Sequence, residues 1–255
     1  MASVFVTGST DGIGAETARA LVAGGHRVVV HARNDERAAV AREAVVGAAA
    51  VAVGDAESLA QVASVARQAA AVGPYDVVIH NVGVGSAERR TVTADGFERI
   101  FQVNVLTPYL LTCLLPRPRR LVYLTSGLEA NGMADPDDLH FERKQWDGFR
   151  AYSDSKLYDV MLAFAVARLW PDVASNAVDP GWIKTRMGGP GATDELPQGA
   201  ETQVWLSTSD EVATLTGRYL KRRRELRANP AAYDVALQDQ LLSACARMTG
   251  VALPS

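Results

Sequence analysis

Tyr152 and Lys156 stand four residues apart in Ala151-Tyr152-Ser153-Asp154-Ser155-Lys156. On a helix that separation is about one turn, so both side chains project from one face. An ammonium beside a phenol favours the phenolate, which makes the phenol a proton donor and acceptor. A second feature, Thr7-Gly8-Ser9-Thr10-Asp11-Gly12-Ile13-Gly14, lies between an apolar run and an Ala-rich stretch. Glycines at a strand-to-helix turn let the backbone approach a pyrophosphate, and the helix start offers it free amides. The pairing points to hydride-transfer chemistry.

The end of the second apolar run bears on which dinucleotide is taken. An acidic residue there would bond the adenosine ribose and favour NAD. Ala32 falls in that slot with Arg33 beside it, and a guanidinium suits a 2′-phosphate. The expectation is NADP, with NAD less favoured. Asp11 opposes it by repelling a phosphate. Thr7 and Ser9 either bond phosphate or brace the turn, and Asp55 either bonds the adenine amine or caps the next helix. Asn81 is suited to tying adjacent strands, and Gly83 to close packing against a cofactor. Asn104 falls inside a long helical stretch, where Asn is a poor helix former, which suggests a bonding role. Ser126 follows a central strand, where such sheets bind ligands. It has no accompanying His and Asp pattern, so a hydrolase triad is not supported.

These residues need a scaffold. Short β-branched runs at Val4–Val6, Arg27–His31, Ala50–Val53, Asp76–His80, Arg120–Thr125, Val173–Val178 and Gly217–Leu220 read as seven strands. Helical stretches separate them: 12–23, 35–46 capped by Asp35, 57–72, 96–115, 149–170 and 195–207, with a closing helix at 230–248. Continuous apolar strands are covered on both faces, as in a parallel sheet. The expected fold class is α/β, a doubly wound Rossmann-type domain with a mainly parallel seven-stranded sheet, and residues 1–255 read as one domain. Trp182, Met187, Leu196 and Trp205 suggest an apolar pocket, and Gly188-Gly189-Pro190-Gly191 a hinge or lid.

Composition narrows the partners. A net charge of −3 over 255 residues gives no reason to expect nucleic acid or an anionic membrane. Arg222-Arg223-Arg224 reads as a solvated helix face. Cys113 and Cys245 read as buried reduced thiols, and the four histidines have no metal-ligand spacing. No stretch reaches the length of a membrane span and no signal-peptide pattern opens the chain. A cytoplasmic protein is expected, with a small-molecule substrate. The helix around Tyr158, Met161, Leu162 and Ala165 reads equally as a homo-oligomer interface or as core.

Taken in order, Thr7-Gly8-x-x-x-Gly12-x-Gly14, Asn81-x-Gly83, Asn104, Ser126, Tyr152-x-x-x-Lys156 and Asp179-Pro180-Gly181 resemble a short-chain dehydrogenase/reductase over nearly the whole chain. The long segment between Ser126 and Tyr152 is similar to the retinol-dehydrogenase-like branch, often NADP-preferring and active on lipophilic alcohols and carbonyls. The resemblance implies a catalytic set of Asn104, Ser126, Tyr152 and Lys156. It implies a cofactor track over Gly8, Ser9, Thr10, Gly12, Ile13, Gly14, Arg33, Asn34, Asp55, Ala56, Asn81, Gly83, Tyr152, Lys156, Pro180, Gly181, Ile183 and Thr185. In that scheme Tyr152 exchanges the proton, Ser126 orients the substrate oxygen, and Lys156 bonds the nicotinamide ribose. Asn104 holds a water, and Thr185 bonds the carboxamide. Val82 and His80 depart from the family pattern. Two rival readings are an NADP-binding redox sensor without turnover and a nucleotide-sugar epimerase. The glycine spacing and the short C-terminal part weigh against the epimerase.

Overall fold

The computed structural model describes residues 1–255. Strands form where the β-branched runs lie: β1 Ser3–Val6, β2 Arg27–Ala32, β3 Ala50–Val53, β4 Val77–His80, β5 Arg120–Leu124, β6 Ala174–Val178 and β7 Tyr219–Lys221. An eighth, β8 Arg224–Leu226, was not expected. The sheet order is β3-β2-β1-β4-β5-β6-β7-β8. All neighbours pair in parallel except β7 and β8, which pair antiparallel. The order reverses between β1 and β4, so a crevice opens beyond their carboxyl ends.

Adjacent strand residues divide between two cores. Phe5 and Val29 belong to one apolar cluster, while Val4, Val6, Val28 and Val30 belong to the other. This two-sided burial is why the strands are apolar throughout. Each large side chain removed from water contributes about 1.5–3 kcal/mol. One face carries α1 Gly12–Ala23, α2 Asp35–Ala44 and α7 Leu196–Thr208. The other carries α3 Leu59–Val72, α5 Thr107–Leu114, α6 Gly148–Leu169 and α8 Val235–Thr249.

Several boundaries differ from expectation for identifiable reasons. Asn34 rather than Asp35 caps α2, its side chain accepting from the Arg37 amide. Ser58, not Asp55, caps α3. The stretch 96–115 is one helical rod in three parts: α4 Arg99–Phe101, a π-helical turn Gln102–Leu106, and α5. The segment at 230 begins as a 3₁₀ turn, Pro230–Tyr233, before Asp234 caps α8.

Arg222-Arg223-Arg224 is not a helix face. Arg222 and Arg223 form the two-residue turn joining β7 to β8, both at positive φ (49° and 59°). Paired positive φ belongs to the hairpin turn that normally takes Asn-Gly. Here the strain is offset by contacts: Arg222 pairs with Asp194 at 2.9 Å and Arg223 with Glu201 at 3.2 Å. Tyr158, Met161, Leu162 and Ala165 are buried within the chain, and are core rather than an interface. Cys113 and Cys245 are buried too, and burial pushes the Cys113 thiol up to about 11. No helix is long and apolar enough to cross a membrane.

Candidate active site

The glycine-rich turn is held from three strands. Thr7 Oγ1 accepts from the amides of Asn81 and Val82 at 2.9 and 3.0 Å. The Asn81 side-chain amide donates to the Thr7 and Gly8 carbonyls, both at 2.9 Å, so Asn81 joins the ends of β1 and β4 as expected. Gly8 has a φ of +61°, and a Cβ there would meet Val82 Cα at 2.8 Å. At Gly14 a Cβ would lie 2.4 Å from both Asn81 Nδ2 and the Gly8 carbonyl. Ser9 is fully buried. Its hydroxyl donates to the Val6 carbonyl and accepts from the His31 amide, so both Thr7 and Ser9 brace the turn. Thr10 is also buried.

His31, at the end of β2, has a role that the sequence did not reveal. Its Nδ1 accepts from the Gly8 amide at 3.0 Å, and Nε2 lies 2.8 Å from the Gly54 carbonyl. That pattern requires a neutral ring with the proton on Nε2. Burial holds its pKa below the ordinary histidine value.

Helices α2, α3, α6 and α8 each begin under a side-chain cap, from Asn34, Ser58, Asp147 and Asp234. Helix α1 has none: Asp11 sits at its N-cap position without a capping hydrogen bond. The first amides of α1, including Ile13 and Gly14, are therefore free to receive an anion. Asp11 instead forms an ion pair with Arg37, which removes much of its repulsion for a phosphate. Arg33 is exposed just past the buried Ala32. Asn34 Oδ1 is engaged as the cap of α2, accepting from the Arg37 amide. Asp55 accepts from the Glu57 amide at 2.9 Å, and the Ala56 carbonyl accepts from Thr107 Oγ1.

Helix α6 carries both Tyr152 and Lys156. From residue 151 to 166 every residue is buried except Tyr152. Thr125 fastens the helix to the end of β5 by donating to the Lys156 carbonyl at 2.6 Å. Lys156 Nζ lies 5.8 Å from the Tyr152 ring centroid. It donates to the Leu124 carbonyl at 3.0 Å and to Asp159 Oδ2 at 2.8 Å. Burial alone would lower the Lys156 pKa. The charges of Asp159 and Tyr152 oppose that loss and leave it above the ordinary lysine value.

Asn104 lies in the π-helical turn, a form that often marks functional positions. Its side chain is bonded within the protein. Oδ1 accepts from the Val84 amide at 2.8 Å, and Nδ2 donates to the Val84 carbonyl and to Ser155 Oγ at 3.0 and 2.9 Å. Asn104 thus ties the loop after β4 to α6. The backbone at Gly83 faces this pair: a Cβ there would lie 3.4 Å from Asn104 Oδ1 and 3.7 Å from Lys156 Nζ. Ser126 is half-buried and accepts from the Leu128 amide at 3.3 Å, which leaves its own O–H free to donate.

The segment after β6 comes back over the turn. A Cβ at Gly12 would be 3.4 Å from Thr185 Cγ2. Asp179 accepts from the Gly181 amide at 2.9 Å, beyond which Pro180 and Gly181 lead to a buried Ile183. Thr185 Oγ1 accepts from the Gly188 amide, and the Gly188 carbonyl accepts from Trp182 Nε1. The 188–191 stretch is therefore a hydrogen-bonded loop. Trp182 and Met187 are exposed, whereas Trp205 is partly buried and packs against the apolar cluster on the α1/α7 face of the sheet. A cleft of about 740 Å³ lies one helical turn before Tyr152, walled by Glu88, Trp146, Asp147 and Phe149 among others. His80 faces Tyr123 and Thr112, and burial pushes it down to about 3, so it stays neutral.

Residues 2–117 match the family model described as short chain dehydrogenase. The chain is 39% identical over 259 residues to "Short-chain dehydrogenase chyC" of Penicillium rubens, covering all of both proteins. It is 30% identical to "Retinol dehydrogenase 13" of Mus musculus, over 98% of this chain and 84% of that protein. A blue fluorescent protein from a metagenomic library, solved in complex with NADPH, superposes with a TM-score of 0.70 at 26% identity, covering 86% of this chain and 95% of that one. With its switch-point crevice, uncapped glycine-rich helix start and Tyr-x-x-x-Lys helix, the chain belongs to the short-chain dehydrogenase/reductase family, an NAD(P)-dependent oxidoreductase acting on small-molecule alcohols or carbonyls.

Proposed function

We propose that the protein interconverts an alcohol and a carbonyl on a small-to-medium, lipophilic substrate, with NADP as the preferred cofactor and Tyr152 as the acid/base. One observation carries the reading: Tyr152 is the only residue from 151 to 166 of α6 that is not buried, one turn from a buried, charged Lys156. A phenol so placed can exchange a proton with a ligand in the crevice while an ammonium favours its ionised form.

The residues present fit a dinucleotide. The first amides of α1 and the close backbone at Gly8 and Gly14 suit a pyrophosphate. Open backbone at Gly83, facing Lys156 and Asn104, suits the nicotinamide riboside. Pro180, Gly181, Ile183 and Thr185 would close over it. The bound nicotinamide supplies or accepts the hydride. Ser126, its O–H free, would donate to the substrate oxygen and stabilise charge developing there. Asn104 acts by position, since all its side-chain bonds go to the loop after β4 and to Ser155. Arg33, unpaired and exposed, would meet the 2′-phosphate. Arg37 neutralises Asp11 beside it.

NADPH oxidation across a panel of aldehydes and ketones tests the reading. Tyr152→Phe should retain NADPH binding and lower turnover by roughly 10²-fold or more. Turnover that barely changes in that variant would remove Tyr152 from the chemistry.

A further inference from the structure

Lys156 and Asp159 form a contact that the chemistry above leaves unused. Both are almost wholly buried, at 5% and 3% exposure, and their side chains meet at 2.8 Å one turn apart on α6. We propose that Asp159 is a positioning residue whose carboxylate keeps the buried Lys156 ammonium charged beside Tyr152. The proposal rests on the reading of Lys156 as the cation of this site.

The geometry supports it in two ways. An ammonium removed from water tends to lose its proton unless a counter-charge is close. Asp159 makes the one ion pair to Lys156. Other groups facing the pair are Tyr152 on the same helix, the Leu124 carbonyl and Tyr123 from β5, and Asn104 across Gly83. None of these is a carboxylate, so Asp159 is the one acidic side chain paired with the ammonium. The second argument is directional. An ammonium has three N–H donors. Two are fixed, on Leu124 O and Asp159 Oδ2, so tetrahedral geometry fixes the third. Without Asp159 the head group has one anchor and can rotate about it.

Protein labelled with ¹³C at lysine Cε gives a direct readout without substrate or cofactor. The chain has Lys144, Lys156, Lys184 and Lys221, and the Lys156 signal is assigned by its loss in Lys156→Met. In the unsubstituted protein the Lys156 signal should keep its ammonium position throughout the neutral and mildly alkaline range. In Asp159→Asn, which keeps the size and an acceptor but not the charge, its midpoint should fall by about 2 pH units or more. Asp159→Glu should move it back toward the original value. A midpoint in Asp159→Asn within about half a unit of the original would overturn the proposal. If Asp159→Asn does not fold, the unsubstituted protein still decides: a Lys156 midpoint below about pH 8 would show that the carboxylate does not hold the charge. NADPH titration of Lys156→Met is the separate check on the site. Binding as tight as that of the parent would reject the role of Lys156 toward the cofactor while leaving the Asp159 result standing.

Discussion

Replacing His31 with alanine removes two hydrogen bonds from beneath the glycine-rich turn. The Gly54 carbonyl, buried, loses its donor, and the Gly8 amide, half-buried, loses its acceptor. An orphaned buried polar group costs about 1–3 kcal/mol, and the more exposed amide less, giving a loss of about 2–5 kcal/mol. For a chain of this size that is a fall of roughly 4–20 °C in Tm. A pH dependence follows as well. Burial lowers the His31 pKa in the folded protein from 6.5, outweighing the Gly54 bond and Asp55, which favour the imidazolium. As pH falls through 6.5 the unfolded chain therefore takes up this proton while the folded chain does not. The stability due to His31 is complete above 6.5 and drains away below it, until the folded ring protonates as well. One such proton is worth about 1.4 kcal/mol per pH unit at most, so His31→Ala and the parent should converge by up to about 1.4 kcal/mol between pH 7.5 and 5.5. Denaturant unfolding at the two pH values measures this, and the other histidines cancel in the difference. Equal stabilities at pH 7.5, or a gap that does not narrow on acidification, would refute the bracing role.

Gly14→Ala places a methyl 2.4 Å from Asn81 Nδ2 and from the Gly8 carbonyl. Backbone cannot swing aside, so a loss of about 2–4 kcal/mol is expected from overpacking and the strained Asn81 bonds, with weaker NADPH binding. An unchanged melting curve would contradict the packing described. Arg33→Ala should weaken NADPH binding by about tenfold or more while leaving NADH alone, since one charge-assisted bond to the 2′-phosphate is removed. Paired fluorescence titrations decide it, and equal losses for both nucleotides would reject the NADP preference. Arg37→Ala should also weaken NADPH selectively, because it uncovers the Asp11 carboxylate beside the same phosphate; unchanged NADPH affinity would show that Asp11 lies too far to matter.

The strands and most helices were legible because two-sided burial writes itself as continuous apolar runs. The candidate pair was legible because helical spacing alone puts Tyr152 and Lys156 on one face. What escaped depends on contacts distant in sequence or on backbone form. The Arg37–Asp11 pair spans 26 residues and the His31–Gly8 bond 23. The π-helical turn at Asn104 has no residue signature, although an asparagine within a helix marked the place. Strand β8 was hidden because its three residues are all exposed and its turn is made of arginines. Trp205 is apolar like Trp182, but its place on α7 packs it against the apolar cluster of the sheet.

The arginine turn has a consequence for the site that its edge position conceals. Lys221 pairs with the buried Asp179 at 2.9 Å, just before Pro180. Arg222 pairs with Asp194 at 2.9 Å, at the far end of the loop. Asp194 also fills the space beside Gly181, where a Cβ would meet its Oδ2 at 2.5 Å. Each ion pair is partly exposed and worth about 0–1 kcal/mol alone. Their value is geometric: both ends of the 180–194 segment are tied to neighbouring residues of a hairpin that is itself in register with β6 through β7. The same basic residues also discourage another strand from adding to the open edge. A basic run that composition assigns to solvent therefore fixes where the chain crosses the glycine-rich turn, and with it the position of Thr185 over Gly12.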